Sequence, residues 1–358
     1  MSRFWSPALH DLTPYTPGEQ PRQRLVKLNT NENPYAPAPG VRDLLDHFDT
    51  QQLRLYPDPE SNALRQTLAE VYDVPIECIF VGNGSDEVLA LAFAAFFRQP
   101  EPLLMPALSY SFYPVYCDLY NITAERIPLA EDWSIDLDAF NRPNGGIVIA
   151  NPNAPTGHAH KREAIAQLLA HQKDKVVLVD EAYVDFGAES CLPLISDHDN
   201  LLIVSTFSKS RSLAGLRIGF AIGSRELIEG LERIKNAFNS YPVDRLAEQV
   251  AVAALKDDEH FEKTRRAIID TRTWSVDALR QRHFDVLPSS ANFVLARPNT
   301  RPAVEVFNAL RDQGIIVRYF NTPGLSDWLR ISIGTDDEMQ QLINALDDGI
   351  LPAETAQP

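Results

Sequence analysis

Cysteine is scarce in this chain. Cys78, Cys117 and Cys191 are the only three among 358 residues, and their spacing suits neither a disulfide framework nor a metal-binding set. No metal is therefore expected, and three unpaired thiols fit a reducing compartment, the cytoplasm. Positive charge is also short: 33 Lys and Arg face 49 Asp and Glu, a net charge of −16, which argues against a nucleic-acid surface. A small anionic substrate stays possible, because a few arginines in a cleft outweigh the global field locally. Long apolar runs are missing. No window approaches the roughly 20 apolar residues of a membrane span, and the opening residues lack the apolar core of a signal peptide. No membrane association is expected. Repeats and low-complexity runs are absent too.

Hydrophobic residues make up 44% of the chain, enough for a sizeable interior. The length suggests one large domain and a smaller one. Residues 1–40, rich in Pro, Asn and Thr, read as an extended arm. Beyond them, apolar runs alternate with helical patterns. Candidate strands cover 78–81, 103–105, 147–150, 176–180, 201–205 and 217–222; helices are expected at 86–97 and 162–172. This alternation predicts an α/β unit with a mainly parallel sheet covered by helices on both faces. After Gly223 the pattern changes. Charged helical stretches run over 225–282, followed by "NFVLARP", "AVEVFNALRDQ", "IIVR" and "WLRISIG", a smaller α+β unit. Thr335 and Glu338 form a capping box at the start of a last helix, and "LPAETAQP" reads as a tail. The expected divisions are 1–40, 41–245 and 246–358.

Four segments carry chemistry. In "TFSKSRSLAGLRIGF", Lys209 follows a buried strand and is flanked by Thr206 and Ser208, with Arg217 nearby. A lone loop lysine normally faces water. At a strand end, where such sheets bind ligands, a partly desolvated lysine amine can bond an aldehyde. Hydroxyls and an arginine beside it suit a phosphate. A cofactor with both groups is pyridoxal 5'-phosphate. In "KVVLVDEAYVDF", Asp180 ends an apolar strand. It is either a turn residue or the partner of a protonated ring nitrogen, and Tyr183 could reach the ring hydroxyl. In "VGNGSDE", a glycine turn brings Ser85 and Asp86 to a helix start, where backbone amides bind anions. In "NPNAPTG", residues 151–157, prolines and a glycine fix a loop after a strand. Each segment alone has an ordinary structural reading; together they point to one site.

With "LTPYTPGEQ", "KLNTNENPY", "RLYPDP", "GIIVR" and "WLRISIGT", these segments span nearly the whole chain. They resemble the pyridoxal-phosphate enzymes of the aspartate-aminotransferase fold type, and within them most closely the histidinol-phosphate aminotransferase family. The resemblance implies a seven-stranded sheet in the large domain and transamination of L-histidinol phosphate with 2-oxoglutarate, giving imidazole-acetol phosphate and glutamate. It assigns Lys209 to the cofactor aldehyde and to proton transfer, Asp180 to the ring nitrogen and Tyr183 to the ring hydroxyl. Tyr110 stacks on the ring. Ser85, Asp86, Thr206, Ser208 and Arg217 hold the phosphate. Tyr56 reaches a partner's phosphate in a homodimer with shared sites. Arg330, the usual carboxylate arginine, is joined by Arg318 and Tyr15 at the substrate phosphate, and Asn33 borders the substrate. One position departs from the pattern. The family's asparagine before Pro-Thr-Gly is Ala154 here, so either Asn153 contacts the ring hydroxyl after a small loop shift or Tyr183 does so alone. Alternatives on the same fold are an aromatic aminotransferase or a threonine-phosphate decarboxylase. A ligand-sensing regulator would need a basic DNA-binding module, and the short, proline-broken arm is not basic.

Overall fold

The computed structural model describes residues 2–23 and 25–351. Of the expected tail, all but Leu351 lies outside the described residues. In chain order the strands are β1 (Val26–Lys27), β2 (Ile79–Gly82), β3 (Leu103–Pro106), β4 (Ala124–Ile127), β5 (Ile147–Ala150), β6 (Val177–Asp180), β7 (Leu201–Thr206), β8 (Gly219–Gly223), β9 (Phe284–Val286), β10 (Phe293–Pro298), β11 (Ile315–Ile316), β12 (Arg318–Tyr319) and β13 (Leu329–Ser332). Seven of them form one sheet in the order β2-β8-β7-β6-β5-β3-β4. Only β8 runs antiparallel to its neighbours; the other pairings are parallel. This is the expected α/β architecture.

Alternate residues of these strands feed two separate cores. Ile147, Ile149, Val177, Val179, Leu201 and Ile203 pack on one face. Val148, Leu178, Leu202 and Val204 pack on the other, against the apolar helix Gly84–Phe96. Burial on both faces is why these strands read as continuous apolar runs rather than alternating ones. A smaller antiparallel sheet, β12-β13-β10-β9, has its own core of Val294, Ala296, Leu329 and Ile331.

Two sequence expectations need adjustment. The edge strand β4 was not anticipated, since "AERI" buries only Ile127 fully and carries polar residues. The strand expected at 217–222 begins at Gly219, because Arg217 adopts φ 56° and leaves the pleat. The charged stretch 225–282 is three helices, Arg225–Phe238, Arg245–Leu255 and Asp258–Gln281. Ala247, Val250, Ala251 and Ala254 of the second helix pack in the large sheet's core, while Ile268 and Leu279 of the third pack with the small sheet. Packing therefore changes partner near 256–257. The Thr335–Glu338 capping box is present.

The arm is tied into the small unit, with β1 pairing parallel to β11 in the register Val26↔Ile315 and Lys27↔Ile316. Residues 29–31 then cross in front of the carboxyl ends of the large sheet's strands. Among the described residues, no helix is long and apolar enough to cross a membrane.

Candidate functional site

A cavity of about 510 Å³ opens at the carboxyl ends of β3, β5, β6 and β7, where sheets of this kind bind ligands. Its lining includes Lys209, Asp180, Tyr183, Ser85, Asp86, Tyr110, Thr206, Ser208, Arg217, Tyr15, Arg318 and Arg330. Twelve of the fifteen expected site residues are thus brought together from positions more than 300 apart in sequence.

One end is an anion cradle. Ser85 and Asp86 stand in the first turn of helix Gly84–Phe96. The Asp86 carboxylate accepts from Tyr110 Oη at 2.8 Å and from Arg217 Nη2 at 2.8 Å. Arg217 Nη1 donates to Ser208 Oγ at 3.4 Å, and Thr206 Oγ1 lies 3.0 Å from the same oxygen. Two glycines make the close approach possible. A Cβ on Gly84, whose φ is +82°, would stand 2.6 Å from Arg217 Nη2, and one on Gly219 would stand 2.2 Å from the Ser85 amide nitrogen. Amides at a helix start, two hydroxyls and a guanidinium fit a phosphate.

Asp180 ends β6 beside Ala150 of β5 and Val204 of β7. Its carboxylate accepts from Tyr113 Oη at 2.8 Å and from the Ala182 amide at 3.1 Å. Burial pushes its pKa up to about 6, against the lowering by these two hydrogen bonds. Such a carboxylate would be held ionised by a cation brought into the cavity, and a protonated ring nitrogen is one. Lys209 Nζ donates to Thr30 O at 3.1 Å and lies 5.6 Å from the centroid of the Tyr183 ring. The aldehyde, ring and phosphate of pyridoxal phosphate find a lysine, an aspartate and an anion cradle in one cavity.

The other end is cationic. Arg318 and Arg330 are directly opposed partners on the antiparallel strands β12 and β13. Like charges facing each other across a strand pair are destabilising. Arg330 Nη2 donates to Asn29 O at 2.7 Å, but its enclosed Nε has no partner. Burial pulls its pKa below the ordinary arginine value. Arg318 donates to carbonyls of the arm, Thr16 O at 3.2 Å and Pro17 O at 3.4 Å, and lies 5.3 Å from the centroid of the Phe320 ring. An anion placed between the two guanidiniums would relieve both the repulsion and the unpartnered donor. Tyr15 stacks on Phe112 at 4.8 Å and faces the same space.

Three expected residues lie elsewhere. Asn153 is buried and does not line the cavity. Its amide is spent on Leu108 O at 3.1 Å, Thr156 Oγ1 at 3.2 Å and Ser109 Oγ at 2.7 Å. It anchors the loop, and Ala154 takes the lining position. Asn33 is outside the lining as well; it donates to Ser210 O at 3.1 Å and accepts from the Tyr35 amide at 3.0 Å, which holds the arm against the lysine loop. Tyr56 is 79% exposed, outside the cavity, and stacked on Tyr241 at 4.8 Å. Sequence reasoning missed Asn29, Thr30, Asn31, Tyr113 and Arg126, which do line the cavity. The first three stand in the same "NTNENPY" segment as Asn33, so that segment was the available signal. Arg126, on the edge strand β4, had none.

Fold and site together define the class. The sequence pattern of the aminotransferase class I and II family matches residues 23–346, and the chain belongs to that family. Within it, the chain is 60% identical to the histidinol-phosphate aminotransferase of Chromohalobacter salexigens over 97% of its own length and 99% of that protein's. It is 52% identical to the same-named protein of Pseudomonas putida strain KT2440, over 97% and 100%. It therefore stands within the histidinol-phosphate aminotransferases. In fold it matches the histidinol-phosphate aminotransferase of Sinorhizobium meliloti, solved in complex with pyridoxal 5'-phosphate. The TM-score is 0.86 over 98% of each chain, at 23% identity.

Proposed function

We propose that the protein uses pyridoxal 5'-phosphate to transfer the amino group of L-histidinol phosphate to 2-oxoglutarate, a step of histidine biosynthesis. The observation that carries the substrate is the opposed Arg318–Arg330 pair with its unpartnered Nε. Histidinol phosphate has no carboxylate. Its phosphate monoester must sit where other amino donors place one, and it brings nearly two charges to two arginines. The same pair takes a carboxylate of 2-oxoglutarate in the return half of the reaction. Tyr15 adds a hydroxyl there.

When bound, pyridoxal phosphate supplies an aldehyde that bonds amines and a protonated ring that draws electrons from the α-carbon. Lys209 is the amine for that aldehyde. Free of that bond, Lys209 would be the base that takes the proton from the substrate's α-carbon and carries it within the cavity. Asp180 would keep the ring nitrogen protonated, and Tyr183 would donate to the ring hydroxyl. The amides of Ser85 and Asp86, with Thr206, Ser208 and Arg217, would hold the phosphate.

The unit of function in this reading is a homodimer. Tyr56 and Phe238 are about four-fifths exposed, and Leu53, Leu55 and Tyr241 are exposed near them in sequence. Such a group suits an interface, and Tyr56 would serve the partner's phosphate. Three free cysteines support a cytoplasmic location.

The test is a half-reaction. L-Histidinol phosphate, added alone to the cofactor-loaded protein, is expected to abolish its visible band, and 2-oxoglutarate to restore it. Loss of the band with phenylalanine but not with histidinol phosphate would move the substrate. Release of CO2 from threonine phosphate without an oxo-acid would replace transamination by decarboxylation.

A further inference from the structure

Three consecutive residues of the arm each touch one chemistry-bearing side chain from another part of the molecule. Asn29 O accepts from Arg330, Thr30 O accepts from Lys209, and Asn31 Nδ2 donates to Tyr183 Oη at 3.0 Å. The first two contacts are made by the backbone, which any residue supplies. The third depends on the side chain. We propose that Asn31 is a positioning residue that sets the direction of the Tyr183 hydroxyl proton, so that the phenol donates into the cavity. The inference rests on the cofactor reading above.

The direction follows from which groups can donate. A backbone N–H only donates, and that of Asn31 donates to Ser332 Oγ at 2.9 Å. Ser332 Oγ in turn donates to Asn31 Oδ1 at 2.8 Å. The amide oxygen of Asn31 is thereby turned toward Ser332 and its NH2 toward Tyr183. A phenolic oxygen that receives this hydrogen bond keeps its own proton for another acceptor. Among the described residues no protein group takes that proton, and Tyr183 lines the cavity. A cofactor hydroxyl placed there would receive it.

The frame around Asn31 is enclosed. Asn31, Asn292 and Ser332 are each at most 2% exposed. Asn292 Nδ2 donates to Asn31 O at 2.9 Å. Asn31 has φ 56°, a left-handed conformation that asparagine tolerates better than most residues. Linked donors of this kind polarise one another. The direction matters more in this chain than where a second donor is present. Ala154 stands in place of the family asparagine, and Asn153 is committed elsewhere. Tyr183 is left as the donor to the ring hydroxyl.

The experiment compares cofactor-loaded wild type with Asn31→Asp, Tyr183→Phe and the double variant, reading the pH midpoint of the visible band. Aspartate keeps the shape and tolerates the backbone, but it only accepts, so it draws the tyrosine proton out of the cavity. A donor to the ionised ring hydroxyl disfavours protonation, and its loss raises the midpoint. Asn31→Asp is expected to raise it by about one to two pH units, the scale of one hydrogen bond to a charged group. Tyr183→Phe should do the same, and the double variant should go no further than Tyr183→Phe alone. An unchanged midpoint in Asn31→Asp, with only a lower Tm, would overturn the proposal. So would an undiminished shift when Asn31→Asp is added to Tyr183→Phe, since the added charge would then act without the tyrosine. If Asn31→Asp does not fold, Ser332→Ala carries the test. It frees the amide to turn, and should move the midpoint in the same direction only when Tyr183 is present; no movement overturns the role. A wild-type protein with no visible band would instead sink the cofactor reading itself.

Discussion

The two ends of the cavity are built on different terms. At the cofactor end, Asp86, Tyr110, Arg217, Ser208 and Thr206 already bond to one another. At the substrate end, two arginines oppose each other across paired strands, and Arg330 Nε has no partner. The first is a closed network that a phosphate would join with little rearrangement. The second holds two guanidiniums that have no carboxylate partner among the described residues and rest on aromatic rings and carbonyls, so an incoming anion would neutralise them. The folds behind them differ in the same way. The cradle stands on the ends of strands buried on both faces, whereas the arginines sit on short strands of the small sheet and lean on carbonyls of the arm. Pre-formed order belongs with the resident group, and unmet charge with the groups that come and go.

The largest expected effect lies between the two ends. Lys209→Ala should abolish the visible band and lower turnover by ~1000-fold or more, since both the bond to the cofactor and the proton carrier are lost. Absorbance and single-turnover rates measure both. Turnover within tenfold of wild type would remove the lysine from the chemistry and with it the meaning of the comparison.

Asp180 probes the cofactor end through stability. Its folded pKa is pushed from 3.8 to about 6. The folded state therefore binds more protons at Asp180 than the unfolded state between these values, so the contribution of Asp180 to stability is greatest below about pH 4 and is lost as pH rises through 6. The loss by pH 7 is on the order of 3 kcal/mol in cofactor-free protein. Glu181, pushed up by burial to about 7, adds a slope of the same sign. The difference between wild type and Asp180→Asn in denaturant unfolding at pH 4.5 and 7 isolates Asp180. Adding pyridoxal phosphate should flatten that difference, because a ring cation favours the carboxylate. An equal difference with and without cofactor would leave Asp180 as a structural turn residue.

How much of this was legible depended on distance along the chain. Lys209, Asp180 and the glycine turn at Gly82–Gly84 each follow a buried apolar strand, and a strand end is a local signal. The Arg318–Arg330 pairing needed only neighbouring strands of one small sheet. The crossing at residues 29–31 was not legible. Asn31 meets Ser332 across 301 positions and Tyr183 across 152, and which asparagine of "NTNENPY" turns inward is decided by the positive φ of Asn31. Asn33, two residues on, faces the lysine loop instead. The placement of Asn153 was not legible for a related reason. A one-residue difference in which side chain faces the cavity lies below the resolution of motif matching, and the neighbouring Ala154 lines it.

Arg318→Ala sharpens the substrate end. It should weaken histidinol phosphate by about ten- to hundred-fold, the scale of one charge-assisted contact, and weaken 2-oxoglutarate less, since a carboxylate carries one charge for two arginines. Separate half-reaction titrations give the two constants. Equal losses would mean that Arg318 serves any anion, and the argument for a phosphate-specific pair would fail.

The smallest effect is expected from Ser208→Ala. Ser208 Oγ accepts from Arg217 and lies beside Thr206, so its removal leaves a cradle of amides, one hydroxyl and a guanidinium. One neutral hydrogen bond is worth about 1 kcal/mol, which corresponds to cofactor binding roughly fivefold weaker. Turnover at saturating cofactor should not change. Equilibrium dialysis of pyridoxal phosphate against both proteins would read the difference. A loss as large as that of Arg318→Ala on its substrate would show that the cradle also depends on single contacts, and that the closed and open ends differ less than their hydrogen bonds indicate.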